Sequence, residues 1–145
     1  MLENLSHAHW RLLADGVLFA HVAIAAFIVV GQLAIIVGGV VGSRAVRNVK
    51  FRLTHLALIV FVAAETWLGQ LCPLTHLEQY LRLRAGQQTY SESFTQHWLA
   101  PLIFFDAPWW VFTAIHSLAA LIVAGSWLLV PPDWGRPKAR GATVV

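Results

Sequence analysis

Three ionisable side chains, His21, Glu65 and His116, each lie within a long apolar run of this chain. Glu65 is the only charged residue between Leu53 and Leu71, a run of about nineteen residues. An ionisable group at such depth costs several kcal/mol in a membrane unless it is paired, protonated or bound to something. We therefore interpret these three side chains as a candidate functional site.

Several chemistries use such a set. Two imidazoles and a carboxylate can hold iron or zinc, and His97 or Cys72 offers a fourth ligand from the loop between the apolar runs. Alternatively, His21 and His116 ligate the iron of haem b from both sides, which leaves Glu65 for a propionate or a proton. A third option uses no metal and lets Glu65 and a histidine relay protons or hold a quinone headgroup. A purely structural role, in which hydrogen bonds within the bundle satisfy Glu65, stays open.

The elements that must position these residues are apolar helices. Hydrophobic residues make up 58% of the 145 residues and charged residues 12%, about half the charged share of a typical soluble domain. Three runs reach or approach the roughly 20 residues needed to cross a bilayer: Val17 to Val41, Leu53 to Leu71 and Trp109 to Val130. The sequence predicts an all-α membrane protein with three transmembrane helices, a single domain over residues 1–134 and a tail over residues 135–145.

The position of each ionisable residue along its helix gives its depth. At the helical rise per residue, His21, Glu65 and His116 lie roughly 6 to 10 Å from the outward ends of the three runs. All three therefore fall in one layer of the outer leaflet, and each must turn away from lipid. His55 lies near the opposite end, so we expect it not to join them.

Basic residues set the orientation. Seven of the ten fall on one side of the predicted helices, which the positive-inside rule makes cytoplasmic: Arg44, Arg47, Lys50, Arg52, Arg136, Lys138 and Arg140. The N-terminus then faces outward and the tail inward, in a multi-pass protein of the bacterial inner membrane. The net charge of +3 is explained by topology and the lipid bilayer, without a nucleic-acid partner.

The outward segment after the second run carries a structural motif. Pro73 ends the preceding helix, and Thr75 with Glu78 has the spacing of a capping box for a short helix from Thr75 to about Ala85. A second short element begins at Ser91. We expect both short helices to lie in the outward membrane interface. Cys72 is the only cysteine, which excludes an intrachain disulfide.

Glycines punctuate the first apolar run. Gly31, Gly38 and Gly42 present small faces at helical spacing, which let another helix approach closely in lipid. The alternative is that they mark the end of the helix.

The chain resembles a family of small bacterial membrane proteins known as domain of unknown function 2784, over roughly residues 12 to 130. The motifs that carry the resemblance are Trp67, Cys72-Pro73-Leu74-Thr75, Leu77-Glu78, Leu81-Arg82, Ala85-Gly86, Tyr90, Phe94, His97 and Pro101-Leu102. The resemblance also places family histidines at His21 and His55 and a family glutamate at Glu65. It implies that His21, Glu65 and His97 are the core of a metal or cofactor site, because His116 is not a hallmark of the family. The chain departs from the family at His76, where proline is usual.

These observations lead to one functional expectation and two alternatives. We expect an accessory or cofactor-bearing subunit of a larger, oxidoreductase-type membrane complex, not catalytic by itself, that carries haem b or a transition metal ion. The first alternative is a purely structural or assembly subunit. The second is a metal-dependent membrane enzyme or a quinone or proton site.

Overall fold

The fold is built from helices joined by short turns. The computed structural model of the chain describes residues 6–91, 94, 97–98 and 108–134. Within them lie four α-helices and one 3₁₀ turn, and no strands: α1 (His7–Val40), the turn Ala45–Arg47, α2 (Val49–Trp67), α3 (Pro73–Arg84) and α4 (Trp109–Leu129). The all-helical prediction is therefore confirmed. The second interfacial helix, predicted to begin at Ser91, and the tail 135–145 fall largely or wholly outside the described residues.

Two of the described helices, α1 and α4, are long and apolar enough to cross a membrane. Only 17% of the most apolar stretch of each is buried within the protein. The core helix of a soluble protein would be mostly buried, whereas here Phe19, Leu33 and Leu121 point outward. Exposure of these apolar side chains to water is unfavourable, whereas contact with lipid hydrocarbon is not. The pattern therefore favours a membrane protein.

The third predicted span, α2, does not join α1 and α4 among the helices that are apolar enough to cross a membrane. The helix begins four residues earlier than expected, after Asn48, whose side chain accepts a hydrogen bond from the Phe51 amide (3.2 Å). It ends at Trp67, because Gly69 adopts a left-handed φ of 64° that closes the helix. Every stretch of eighteen residues in α2 therefore contains three charged residues, Lys50, Arg52 and Glu65, whereas the most apolar stretches of α1 and α4 contain at most two.

The helices pack in two regions of the molecule. The N-terminal part of α1 packs against α3 through a small core of Trp10, Ala14 and Leu81. Farther along, α1 meets α2, and α2 packs along α4. At the end of α2, the Trp109 indole donates to the Thr66 carbonyl (3.0 Å). The Trp67 indole, in the same turn, bonds to a serine hydroxyl of α4.

Of the three glycines predicted in the first apolar run, two allow close packing and one ends the helix. A Cβ at Gly31 would lie 2.9 Å from the His55 ring, and one at Gly38 would lie 2.5 Å from Val46, so both allow close approach within this chain. Gly42 instead ends α1 with a φ of 72°, and the amide of the next residue, Ser43, donates to the Gly38 carbonyl (2.8 Å).

Candidate functional site

Side chains from α1, α2 and α4 meet at one small cavity. His21, Glu65 and His116 all line this cavity of about 50 Å³, which we call the polar chamber. Its remaining lining comprises Val62, Thr66, Gln70, Cys72, Phe94 and Trp109. A space of this size holds a few water molecules or one small polar group. The structure thus brings together the three residues whose depths agree in the sequence.

The polar chamber contains buried polar atoms without partners. Among the described residues, neither Nδ1 of His21 nor Oε1 of Glu65 has a hydrogen-bond partner. The His116 ring faces the Phe112 carbonyl one turn earlier, but its Nδ1 does not reach good hydrogen-bond geometry. The His21 ring stacks on Phe94 with centroids 4.0 Å apart. Since a buried polar atom left unmatched costs about 1 to 3 kcal/mol, the chamber has unused bonding capacity for a ligand.

A second, larger cavity adjoins the first. This apolar chamber has a volume of about 370 Å³ and shares His21, Val62, Cys72, Phe94 and His116 with the polar chamber. The rest of its lining is apolar: Ile24, Ala25, Ile28, Val29, Leu58, Ile59, Phe61, Pro73, Leu74, Ile115 and Ala119. Its volume lies within the roughly 300 to 1,000 Å³ of known small-molecule pockets.

Cys72 lies where the two chambers meet. It is the N-cap of α3, and its thiol shares the polar chamber with the Glu65 carboxylate, near enough to interact with it. The amides of Leu74 and Thr75 point toward the sulfur without forming a hydrogen bond of good geometry. Burial is the main influence on the thiol and raises its pKa, which the neighbouring Glu65 raises further.

His97 does not lie in either chamber. Its ring stacks on Tyr90 in a nearly parallel arrangement, with centroids 3.7 Å apart, and meets Trp98 edge-on. Among the described residues, no three His, Cys, Asp or Glu side chains stand close enough to hold a metal ion. The predicted metal set of His21, Glu65 and His97 is therefore not assembled. Nor does haem b fit well, since the chamber linings described contain no Arg or Lys for its propionates.

Sequence reasoning missed a second cluster, which lies between α1 and α3 and which we call the Glu78 cluster. Glu78 is fully buried, and its two oxygens accept from Arg82 Nε and the Tyr90 hydroxyl, both at 2.8 Å. Arg82 also donates to Gln87 (3.1 Å) and pairs with Asp15 (3.5 Å). The spacing of Glu78 and Arg82, four residues apart on one helix, is the signal that could have found it.

This cluster shows that the predicted capping box is wrong. Pro73 occupies the first turn of α3, so the helix starts two residues before Thr75. Thr75 is then inside the helix, its hydroxyl buried without a partner, and Glu78 turns toward Arg82 instead of the helix start. Glu78 is also close enough to His21 to interact with it electrostatically.

Tyr90 marks the outer edge of the Glu78 cluster. Burial, followed by its hydrogen bond to the Glu78 carboxylate, raises the pKa of Tyr90 to about 12. The Tyr90 hydroxyl therefore remains a donor to Glu78 across the physiological pH range.

Polar side chains on the other side of the bundle lie apart from the chambers. His55 is fully buried, and its Nε2 lies 2.8 Å from the Ile28 carbonyl. It does not line either chamber, as its position in the sequence predicts. Arg52 is 1% exposed, and its guanidinium lies 5.3 Å from the centre of the Trp127 ring without forming a hydrogen bond.

Comparison with known proteins supplies a family and no activity. Searches of the curated proteins and of the solved structures found no match. A family model covers residues 11–132, the greater part of the chain, and so includes α2, α3 and α4, nearly all of α1, and every residue of both chambers. The chain therefore belongs to the family described as Protein of Unknown function (DUF2784).

Proposed function

We propose that this protein binds a lipid-soluble molecule that places a carbonyl group in the polar chamber and the rest of its apolar body in the apolar chamber. A quinone and an acyl ester both have this chemistry. One observation carries the proposal. The chamber with unpartnered atoms from His21 and Glu65 shares a wall with a much larger, almost wholly apolar one.

The two chambers differ in what they can stabilise. The apolar chamber offers a hydrocarbon chain an apolar lining much like the lipid that it leaves, so this chamber accommodates the chain without supplying a large hydrophobic gain. The polar chamber offers imidazole and carboxyl groups that can donate to or accept from a carbonyl head. Small-molecule pockets are usually apolar, with a small number of polar groups that fix the orientation of the ligand.

We further propose that α2 crosses the membrane with α1 and α4, which makes three crossings. Lys50 and Arg52 lie at one end of α2, where long basic side chains reach headgroups or pack against aromatic rings. Glu65, near the other end, turns toward the polar chamber. The distribution of basic residues supports an outward N-terminus and a cytoplasmic tail in a bacterial inner membrane.

The role that we assign is that of an accessory subunit which presents or stores this molecule for a larger, oxidoreductase-type membrane complex. A quinone as ligand would make the protein part of an electron-transfer route. The alternative is a purely structural subunit, in which the chambers hold only water.

The test is ligand content after purification in mild detergent, with associated chains retained. Extracted lipids are identified by mass spectrometry, and an optical spectrum with metal analysis is recorded on the same sample. We compare the wild type with His21→Ala, Glu65→Gln and His76→Ala. His76 is an exposed histidine of α3 outside both chambers and provides a matched control.

We expect one lipid-soluble carbonyl compound, enriched over bulk lipid, in the wild type and in His76→Ala. His21→Ala and Glu65→Gln should lower its content at least about tenfold, the change expected for losing one polar contact worth roughly 1.4 kcal/mol. Equal content in all four proteins would refute the proposed site. A ligand-free protein that arrives with a larger complex would support the structural alternative.

A further inference from the structure

Cys72 is placed as a nucleophile would be placed for lipid chemistry. It lines both chambers, so a molecule lying across them passes its sulfur. The carboxylate of Glu65 and the imidazoles of His21 and His116 share the polar chamber with this thiol, and Glu65 is near enough to interact with it. A nucleophile with a base beside it is the arrangement used in covalent catalysis.

We infer that Cys72 accepts an acyl group from a membrane lipid ester and holds it as a thioester, with the acyl chain in the apolar chamber. This inference rests on the proposed function and narrows the ligand to an acyl ester. It assigns roles to three residues: Cys72 is the nucleophile, Glu65 the base, and His21 a donor to the ester carbonyl.

The reaction balances without any further reactant. The Cys72 thiol gives its proton to the Glu65 carboxylate as the sulfur attacks the ester carbonyl carbon. The carbon–oxygen bond to the glycerol then breaks, and the glycerol oxygen leaves with the proton from Glu65. The products are an S-acyl cysteine and a lysolipid, and no atom is oxidised or reduced.

The surroundings of Cys72 explain why a base is needed. Burial raises the pKa of the thiol, so the neutral form predominates at physiological pH. A neutral thiol is a weak nucleophile, and proton transfer to a positioned base typically accelerates such a step by about 10² to 10⁴. The amides of Leu74 and Thr75 at the start of α3 interact with the sulfur and lower its pKa, which partly offsets the effect of burial.

The single cysteine makes the test specific, because any thioester in the chain must be at position 72. The full-length protein is reconstituted in vesicles of phosphatidylethanolamine and phosphatidylglycerol whose acyl chains carry a terminal alkyne. Label that neutral hydroxylamine releases reports the thioester, and intact mass reports its stoichiometry. Lipid bound without a covalent bond is measured separately, after extraction.

We expect the wild type to gain one acyl group, Cys72→Ser to gain none that hydroxylamine releases, and Glu65→Gln to be labelled about 10² times more slowly. The control is Cys72→Ser combined with Ser91→Cys, which moves the thiol to an exposed position outside both chambers. It should remain unlabelled.

Two outcomes would overturn the inference. Equal labelling of the relocated cysteine would show that any thiol near lipid reacts. Wild-type protein that retains bound lipid yet forms no thioester would refute the covalent step while leaving the proposed binding function intact. The absence of bound lipid in the wild type would instead refute the proposed function.

Discussion

The Glu78 cluster and the polar chamber are two groups of ionisable side chains in neighbouring parts of one small protein, and they differ in how completely their atoms are bonded. In the Glu78 cluster, both carboxylate oxygens of Glu78 and all three guanidinium nitrogens of Arg82 have partners. In the polar chamber, the side chains of His21 and Glu65 each retain a buried atom with none.

This difference separates two uses of buried charge. A fully bonded, buried cluster is costly to break, as expected for Glu78 with Arg82 and Tyr90. The half-exposed Asp15 of α1 adds a weaker ion pair that joins α1 to this cluster. Unpartnered atoms also occur elsewhere, on Arg52 and Thr75, but those of His21 and Glu65 line one shared cavity. The bonds of the Glu78 cluster are thus used within the fold, and the polar chamber is where we propose that a ligand binds.

The largest expected effect is on the Glu78 cluster. Arg82→Met keeps most of the side-chain volume but leaves the fully buried Glu78 carboxylate without its charged partner. Breaking a buried pair in this way lowers the free energy of unfolding by about 3 to 5 kcal/mol. Thermal unfolding of the detergent-solubilised protein, followed by circular dichroism, measures the change.

Arg84→Met is the matched control, since Arg84 is an exposed residue of the same helix. It donates to the Tyr80 hydroxyl and lies over the rings of Tyr80 and of Trp10 in α1, without bonding to Glu78. Its loss should cost no more than about 1 kcal/mol. If the two variants were equally stable, the Glu78 cluster would not hold α3 against α1.

A smaller loss is expected from Tyr90→Phe. The substitution removes the hydroxyl that donates to Glu78 and leaves that oxygen buried without a partner, which costs about 1 to 3 kcal/mol. Because the pKa of Tyr90 is raised to about 12 in the folded protein from an ordinary value of 10.0, its contribution is fully present below pH 10. The contribution is lost as pH rises through about 12.

The measurement is the difference in unfolding temperature between wild type and Tyr90→Phe at several pH values. It should be constant from pH 7 to 10 and shrink above pH 10, as the wild-type phenol ionises. A difference that does not depend on pH up to 12 would contradict the bond between Tyr90 and Glu78.

The contrast also shows which features the sequence could predict. His21, Glu65 and His116 could be placed in one layer because the rise of a helix is constant, so depth follows from counting residues along each apolar run. The error in the boundaries of α2 did not matter, since Glu65 stays in the helix either way.

The Glu78 cluster could not be predicted in the same way. Its bonds depend on how α3 lies against α1 and on Tyr90, which follows α3, and these long-range contacts have no period in the sequence. The spacing of Thr75 and Glu78 fits the local rule for a capping box, but the helix starts earlier, at Pro73. Glu78 then bonds to Arg82 and not to the start of the helix. His97 was predicted to join the site because imidazole is a common metal ligand, but its ring stacks on Tyr90 instead.

The smallest stability change is expected where the functional effect is largest. Glu65→Gln preserves volume, replaces an oxygen that has no hydrogen-bond partner among the described residues, and keeps an acceptor oxygen for the Cys72 thiol. We expect the unfolding free energy in lipid-free detergent to change by less than about 1 kcal/mol. With ligand present, the wild type should gain stability in proportion to the logarithm of ligand concentration and the variant should not. A loss as large as that of Arg82→Met, with or without ligand, would mean that the polar chamber is a structural tie like the Glu78 cluster.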